Sequence, residues 1–315
     1  MMDFRLPLGS WIEDFSDFIT DKLSLLFDII AAIFGGFYEG VDWLFATPPF
    51  WVIVIVLVVL GFFARGWLFA VGTAVGLVVV LSVDQWDNAM HTLALTLVAA
   101  AIAVVVAIPV GIWAARSSAA SSVIRPILDF LQTMPAFVYL IPAIILFSVG
   151  VVPGIVATII FAIAPGVRLT ELGIRGVDSE VVEAGQAFGA SPSRILFQIQ
   201  LPLARPSIMA GVNQVIMLSL SMVVIAAMVG APGLGKDIVQ ALQSIDLGLG
   251  FESGLSVVIL AIILDRLTAS LGGGGKKKRV KSTRSDDASK QASDDAEQTE
   301  AAGPKRAPAA GISGL

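Results

Sequence analysis

The sequence predicts an all-α membrane protein, and three observations carry that reading. The 315 residues are 56% hydrophobic with a mean hydropathy of +0.87, a composition that does not suit a soluble globule. Apolar runs of nearly bilayer length recur along the chain, and about 20 apolar residues suffice to cross a membrane. Between two of these runs lies a polar stretch, Glu183 to Pro202, patterned as two short helices around a glycine.

Residues 1–47 do not read as a clean span. Trp11, Phe15, Phe18, Ile19, Leu23, Leu26, Phe27, Ile30 and Phe34 recur at helical spacing, while Glu13, Asp14, Asp17, Asp21 and Asp28 occupy much of the other side. That pattern is an amphipathic helix. Its acidic face suits docking on the protein's own spans at least as well as anionic lipid, and Gly35-Gly36 is expected to break it. No secretory signal peptide is read here, because acidic residues stand where a basic n-region belongs.

Seven spans are expected near 49–64, 67–83, 91–115, 131–150, 153–171, 207–229 and 253–270. Gly72 and Gly76 in the second allow close helix contact. Trp51, Trp67, Trp86 and Trp113 stand near span ends, where amphipathic rings favour the headgroup zone. Residues 272–315 open with four glycines and a basic cluster, Lys276 to Lys281, and continue in Ser, Asp, Ala, Gln and Pro without apolar periodicity. A disordered tail is expected there. The absence of cysteine excludes disulfides and thiolate metal sites. The net charge of −5 reflects the acidic soluble segments, and no nucleic-acid partner is expected.

Loop charges set an expected orientation. Arg65, Arg116, Arg125, Arg175, Arg194, Arg205 and the Lys276–Lys281 cluster fall in one set of loops; the alternate set holds Asp84, Asp87 and Lys236. The positive-inside rule places the first set in the cytoplasm, with the N-terminus outside and the C-terminus inside.

The polar stretch then lies in the cytoplasm. Glu183, Ala184 and Ala187 suit a first helix with a small-residue face. Gly189 permits the left-handed turn that ends it. Ser191-Pro192 reads as an N-cap with proline at the first helical position, and Pro202 is expected to stop the second helix. A hinged polar elbow between spans is shaped to be pushed from the adjacent water.

Other polar groups are candidates of a different kind. Gly230-Ala-Pro-Gly-Leu-Gly235-Lys236 matches the start of a phosphate-binding loop, but Asp237 stands where a magnesium-binding hydroxyl is needed and a span, not a strand, precedes it. A tight turn into an external helix at 236–245 is expected instead, so the chain has no ATP site of its own. His91, the one histidine, is expected to make an interfacial hydrogen bond. Arg168 and Glu171 are spaced to pair along one helix; with Asp265 and Arg266 they anchor helices or gate. Asn213, Gln214, Ser219 and Ser221 either line a wet path or bridge helices. In Gln132-Thr-Met-Pro-Ala-Phe-Val-Tyr-Leu-Ile-Pro142 two prolines free backbone carbonyls inside a membrane helix. Met134, Phe137 and Tyr139 there offer a polarizable and aromatic surface. They either pack around the kink or attract quaternary ammonium groups.

The elbow resembles the "EAA loop" of ABC-importer permeases: Glu183, Ala184, Gly189, Ile199, Leu201 and Pro202 fall on register, with Gly185 where that pattern has Ala. The exchange weakens the helix by roughly 1 kcal/mol. The run from Thr133 to Pro142, Arg168-Leu-Thr, Gly173-Ile-Arg and Leu220 to Gly235 resemble the glycine betaine/proline betaine subfamily of those permeases, over about residues 85 to 270. Ala164-Pro165 stands where two prolines are expected.

The resemblance implies a type I ABC-importer transmembrane domain (MetI-like): an interfacial region 1–47, two peripheral spans in 48–84, a five-span core in 85–271 with its coupling loop at about 172–206, and the tail 272–315. It implies cytoplasmic ATPase subunits that bind ATP and magnesium, an external binding protein, and a second copy of the chain, in a plasma or inner membrane. Glu183 would meet the ATPase, Ala184 and Gly185 would let it approach, Gly189 would set the angle, and Ser191, Pro192, Leu201 and Pro202 would frame the second limb. Met134, Phe137, Tyr139, Asn213, Gln214, Ser219, Ser221 and Met222 would line the path. The alternatives are a permease for choline, carnitine or an amino acid, an ion-coupled transporter or channel, and a membrane scaffold.

Overall fold

The computed structural model describes residues 8–272. The expected tail with its basic cluster lies outside them, as do the side chains of Glu13, Asp14 and Asp17. Among the described residues every regular element is helical.

Helix α1 (Leu8–Ala46) runs unbroken through Gly35-Gly36, contrary to expectation. Neither glycine adopts a positive φ. Gly35 instead lies against Val152, its absent Cβ 3.7 Å from that side chain, so the small residue brings helices together rather than ending one. The irregular backbone is at Leu23 (φ −118, ψ 16). Phe34, Tyr38, Val41 and Phe45 dock on Ala94, Leu95, Val98 and Ile155. Earlier in the helix, Trp11, Phe18 and Leu26 are exposed.

At Thr47-Pro48-Pro49 the chain bends by 96° into α2 (Phe50–Arg65), and Gly66 (φ +90) turns it into α3 (Trp67–Ser82). Each of these helices has 16 residues. That gives about 24 Å, short of a bilayer core of about 30 Å. Both pack on α12 (Leu247–Leu271), where Ile53, Leu57, Leu77 and Val80 meet Leu260 and Ile263. Gly76 permits this, since its Cβ would come within 2.9 Å of Ile259; Gly72 faces open space. Trp51, Trp67 and Trp113 are exposed at helix ends, but Trp86 is buried in this cluster, edge-on to Phe50. Its indole serves packing and not the headgroup zone.

The centre is α4 (Trp86–Arg116), α7 (Val151–Arg175) and α10 (Leu201–Ala226). Small residues let these three approach: a Cβ on Gly166 would lie 2.8 Å from Ala107 and 3.0 Å from Val215. In lipid such close contact replaces the hydrophobic drive that holds soluble helices together.

The expected span at 131–150 is instead two helices, α5 (Ser118–Thr133) and α6 (Ala136–Phe147), bent by 100°. Pro135 is the reason. A residue before proline is forced out of the helical region, and Met134 is extended (ψ 137). The Tyr139 hydroxyl donates to the Leu131 carbonyl across the break.

Among the described residues, four helical stretches are long and apolar enough to cross a membrane: Trp86–Arg116, Val151–Arg175, Pro192–Val229 and Leu247–Leu271. The two bent pairs qualify only jointly, and α3 is a shorter apolar helix.

Candidate functional site

The elbow begins with α8 (Ser179–Ala187), capped by Asp178, whose carboxylate accepts the Glu180 N–H at 3.0 Å. It ends as a small left-handed cap. Gly189 has φ +76, its N–H reaches the Gln186 carbonyl at 2.8 Å, and the Ala190 N–H reaches the Gly185 carbonyl at 3.0 Å. A side chain at that φ is strained, so glycine suits the turn. Ser191 then caps α9 (Pro192–Arg194), its hydroxyl accepting the Arg194 N–H at 3.4 Å, with Pro192 at the start.

Pro202 does not stop the second limb. A π-helical turn at Ile195–Gln200 joins α9 to α10, so helix runs from Pro192 to Val229. In the wider turn the Leu201 N–H bonds to Leu196, five residues back. Pro202 supplies no N–H, and the widened backbone makes room for its ring. The elbow's second limb is therefore the end of a central helix itself.

Gly185 has a specific contact. A Cβ there would lie 2.7 Å from Ile199 Cδ1, so α8 rests on the π turn. Ile195 and Leu196 are buried, and Leu196 packs with Ile174, Ala204 and Ile208. These contacts root the elbow between α7 and α10. Glu183, Ala184 and Pro202 remain exposed, and Leu201 is half-buried. Glu183 borders a cleft of about 430 Å³ with Arg116, Arg175, Gln186 and Gln200. Phe188, which the sequence reading passed over, stands beside the hinge 93% exposed.

Above the elbow, α5 and α7 are tied by charge. Arg168 and Glu171 do not pair with each other. Arg168 reaches Asp129. Glu171, 3% exposed, accepts from Ser121 at 2.7 Å and Arg125 at 2.9 Å and pairs with Arg175 at 3.0 Å. Arg175 also donates to the last turn of α4, at the Ala114 carbonyl. The amphipathic pattern of α5 places Ser121, Arg125 and Asp129 one turn apart on one face, opposite Arg168, Glu171 and Arg175. Local spacing suggested a pair within α7; a neighbouring helix won both partners.

The remaining polar residues divide into groups. Met134, Tyr139 and Met222 meet in one apolar cluster between α6, α7 and α10. Phe137 is 53% exposed beside it. Gln214 and Ser221 lie on an exposed face of α10, two turns apart. Asn213 points elsewhere, donating to Asp265 at 2.9 Å and accepting from Thr268 of α12. Ser219 is fully buried, its hydroxyl without a hydrogen-bond partner among the described residues. His91 hydrogen-bonds Asp42 of α1 at 2.7 Å.

The glycine-rich loop is a packing turn. Gly230 and Gly233 have φ of +93 and +116, and α11 (Leu234–Ser244) follows. A Cβ on Gly233 would meet Thr92, whose hydroxyl accepts the Leu234 N–H at 2.9 Å. Asp237 accepts from Gln85 and Asn88 at 2.9 and 2.8 Å. No group of His, Cys, Asp and Glu suited to a metal ion occurs among the described residues.

Comparison with known proteins sets this geometry in context. Residues 107–272 match the family described as "Binding-protein-dependent transport system inner membrane component". The chain is similar to the glycine betaine/carnitine transport permease protein GbuB of Listeria monocytogenes, 46% identical over 86% of this chain and 97% of that protein. It is also similar to the glycine betaine/proline betaine transport system permease protein ProW of Escherichia coli, 45% identical over 85% of this chain and 75% of that protein. Its fold resembles a chain of the MetNI methionine ABC transporter in an inward-facing form, with TM-score 0.55, 20% identity and coverage of 60% of this chain and 94% of that one.

Proposed function

Because the chain belongs to the family of binding-protein-dependent transport inner membrane components, and so is a membrane permease subunit, we propose that it imports glycine betaine and proline betaine-type solutes and is driven through the elbow by a separate ATPase. The solute class rests on the relatives named above. One of them also carries carnitine in its name, which makes carnitine the second reading.

The observation that carries the mechanism is the continuity of the elbow with α10. A force on α8 reaches Ile199 through Gly185, passes along the π turn, and turns α10 against α7. Cytoplasmic ATPase subunits grip Glu183 and the exposed surface around Gly189. Their closure on ATP shifts the spans between inward- and outward-open states. Moving such a population from 1:99 to 99:1 takes about 5.5 kcal/mol of differential binding. The partner binds ATP in this reading, and the phosphate-loop-like segment of this chain serves helix packing.

An external binding protein delivers the solute, and a second copy of the chain completes the path. Residues 85–271 act as the core, 48–84 as peripheral helices and 1–47 as the interfacial region. The elbow lies in the cytoplasm with the N-terminus outside; Arg116 and Arg175 beside Glu183 support this.

The test is uptake of labelled glycine betaine by the complete complex in vesicles. Wild type imports it, while Glu183→Lys and Gly189→Trp abolish import with the subunit still folded. Normal uptake and solute-stimulated ATP hydrolysis in both variants would refute the elbow's role.

A further inference from the structure

A second polar site lies one to two helical turns from the elbow's root. The cleft between α5 and α7 holds about 260 Å³ and is lined by Arg125, Asp129, Arg168, Glu171 and Leu172. Four of these five residues are charged. The space matches that of roughly eight water molecules. We propose that this cleft is a transit site for a zwitterionic solute, in which Arg168 takes the carboxylate and Asp129 faces the quaternary ammonium. The inference rests on the betaine-import reading given above.

Three features support it. Arg168 stands seven residues before Arg175, the last residue of α7, so about two turns from the end of a helix long and apolar enough to cross a membrane. Charged groups at such depth face water or protein and not lipid. Yet the Arg168, Asp129 and Arg125 side chains are 40%, 65% and 59% exposed. Their free surface therefore faces water or a partner rather than lipid, which leaves it open to a passing solute.

The charges are also unequally committed. Glu171 is buried and saturated by Ser121, Arg125 and Arg175. The Arg168–Asp129 pair has no such support, and an exposed ion pair is cheap to open. A solute carrying both charges replaces each partner with an equivalent one, so opening leaves no charge alone. The guanidinium fork suits a carboxylate. A quaternary ammonium has no N–H to donate, so it needs only a negative charge and apolar contact. Asp129 supplies the first, and Leu172, 64% exposed, supplies the second.

A cation without a carboxylate leaves Arg168 unpaired, and an anion leaves Asp129 unpaired. The site selects by that mismatch. It stays weak, as a path requires, because a tight site would not release.

The chain has no cysteine, which makes the test direct. Leu172→Cys in the complete complex is treated with a membrane-impermeant methanethiosulfonate reagent. The thiol is labelled, and millimolar glycine betaine slows labelling several-fold, whereas choline and acetate do not. Adding Asp129→Asn and Arg168→Gln removes the protection and lowers betaine uptake about tenfold, with the complex still assembled with its ATPase. Labelling indifferent to betaine in a complex that imports betaine overturns the site alone. Full uptake by the doubly neutral variant does the same, reducing the pair to a tie between helices. A wild-type complex that imports no betaine removes the underlying reading, and the site with it.

Discussion

Gly185 occupies the place where α8 touches the π turn. The atom a Cβ would meet is Ile199 Cδ1, the far end of a flexible side chain. Alanine there asks only for a small shift and gains helix propensity of up to about 1 kcal/mol. Gly185→Ala is accordingly expected to keep full uptake and, by thermal unfolding in detergent, equal or slightly higher stability. Gly185→Leu pushes α8 off Ile199, and solute-stimulated ATP hydrolysis in the complex should fall sharply. Glu171 makes a different kind of contact, a buried carboxylate holding three donors. Its arginine partners are 59% and 39% exposed, so water rescues them when the carboxylate is lost. Glu171→Leu is expected to cost about 1–3 kcal/mol of stability. A denaturation midpoint unchanged from wild type would mean that α5 is held mainly by its apolar face.

Among the elements, the π turn at Ile195–Gln200 is the one with mechanical consequence. It inserts one residue into helical register, which rotates everything before it by about 100° about the α10 axis. Deleting Gln198 returns the segment to plain α-helix and swings Glu183 away from its present direction. The variant is expected to insert and fold but to import nothing, and uptake comparable to wild type would show that the elbow's aim does not matter.

This element also marks how far the sequence can be read. Ser191-Pro192 and Gly189 announced a hinge, because caps and left-handed turns depend on the residues that make them. Pro202 suggested a stop, because nothing local reveals that the helix is widened at Ile195–Gln200 just before it. Gly35-Gly36 misled for a related reason: glycine weakens a helix but does not end one whose flanking residues, Phe34 and Tyr38, are packed. The Asp129–Arg168 and Arg125–Glu171 ties were hidden because their partners are 39 and 46 residues apart, and only the fold brings α5 against α7. Pro135 was read as a source of free carbonyls, yet its larger effect was on Met134 before it. The residues expected to line a path divided for a geometric reason: a helix sends neighbours such as Asn213 and Gln214 to different faces.

At the scale of the whole molecule, the described helices arrange two polar regions around one axis of transmission. The elbow is rooted on α7 and α10; the charged cleft is built on α7 and α5. Helix α7 belongs to both, and its last residue, Arg175, joins Glu171 to the α4 carbonyl at Ala114. On the proposed mechanism, a push on the elbow moves the wall of the cleft. Arg175→Ala removes that junction. It is expected to leave the complex assembled but to lower the number of solutes imported per ATP, measured by simultaneous uptake and phosphate release. An unchanged ratio would place the coupling elsewhere.

The central claim is that a separate ATPase grips the elbow. Phe188, exposed beside the hinge, gives the most direct measurement. A photo-crosslinking amino acid placed there in the complete complex should form an adduct with the ATPase subunit, with a yield that changes between nucleotide-free and ATP-bound states. No ATPase adduct in any nucleotide state, from a complex that still imports solute, would contradict the account.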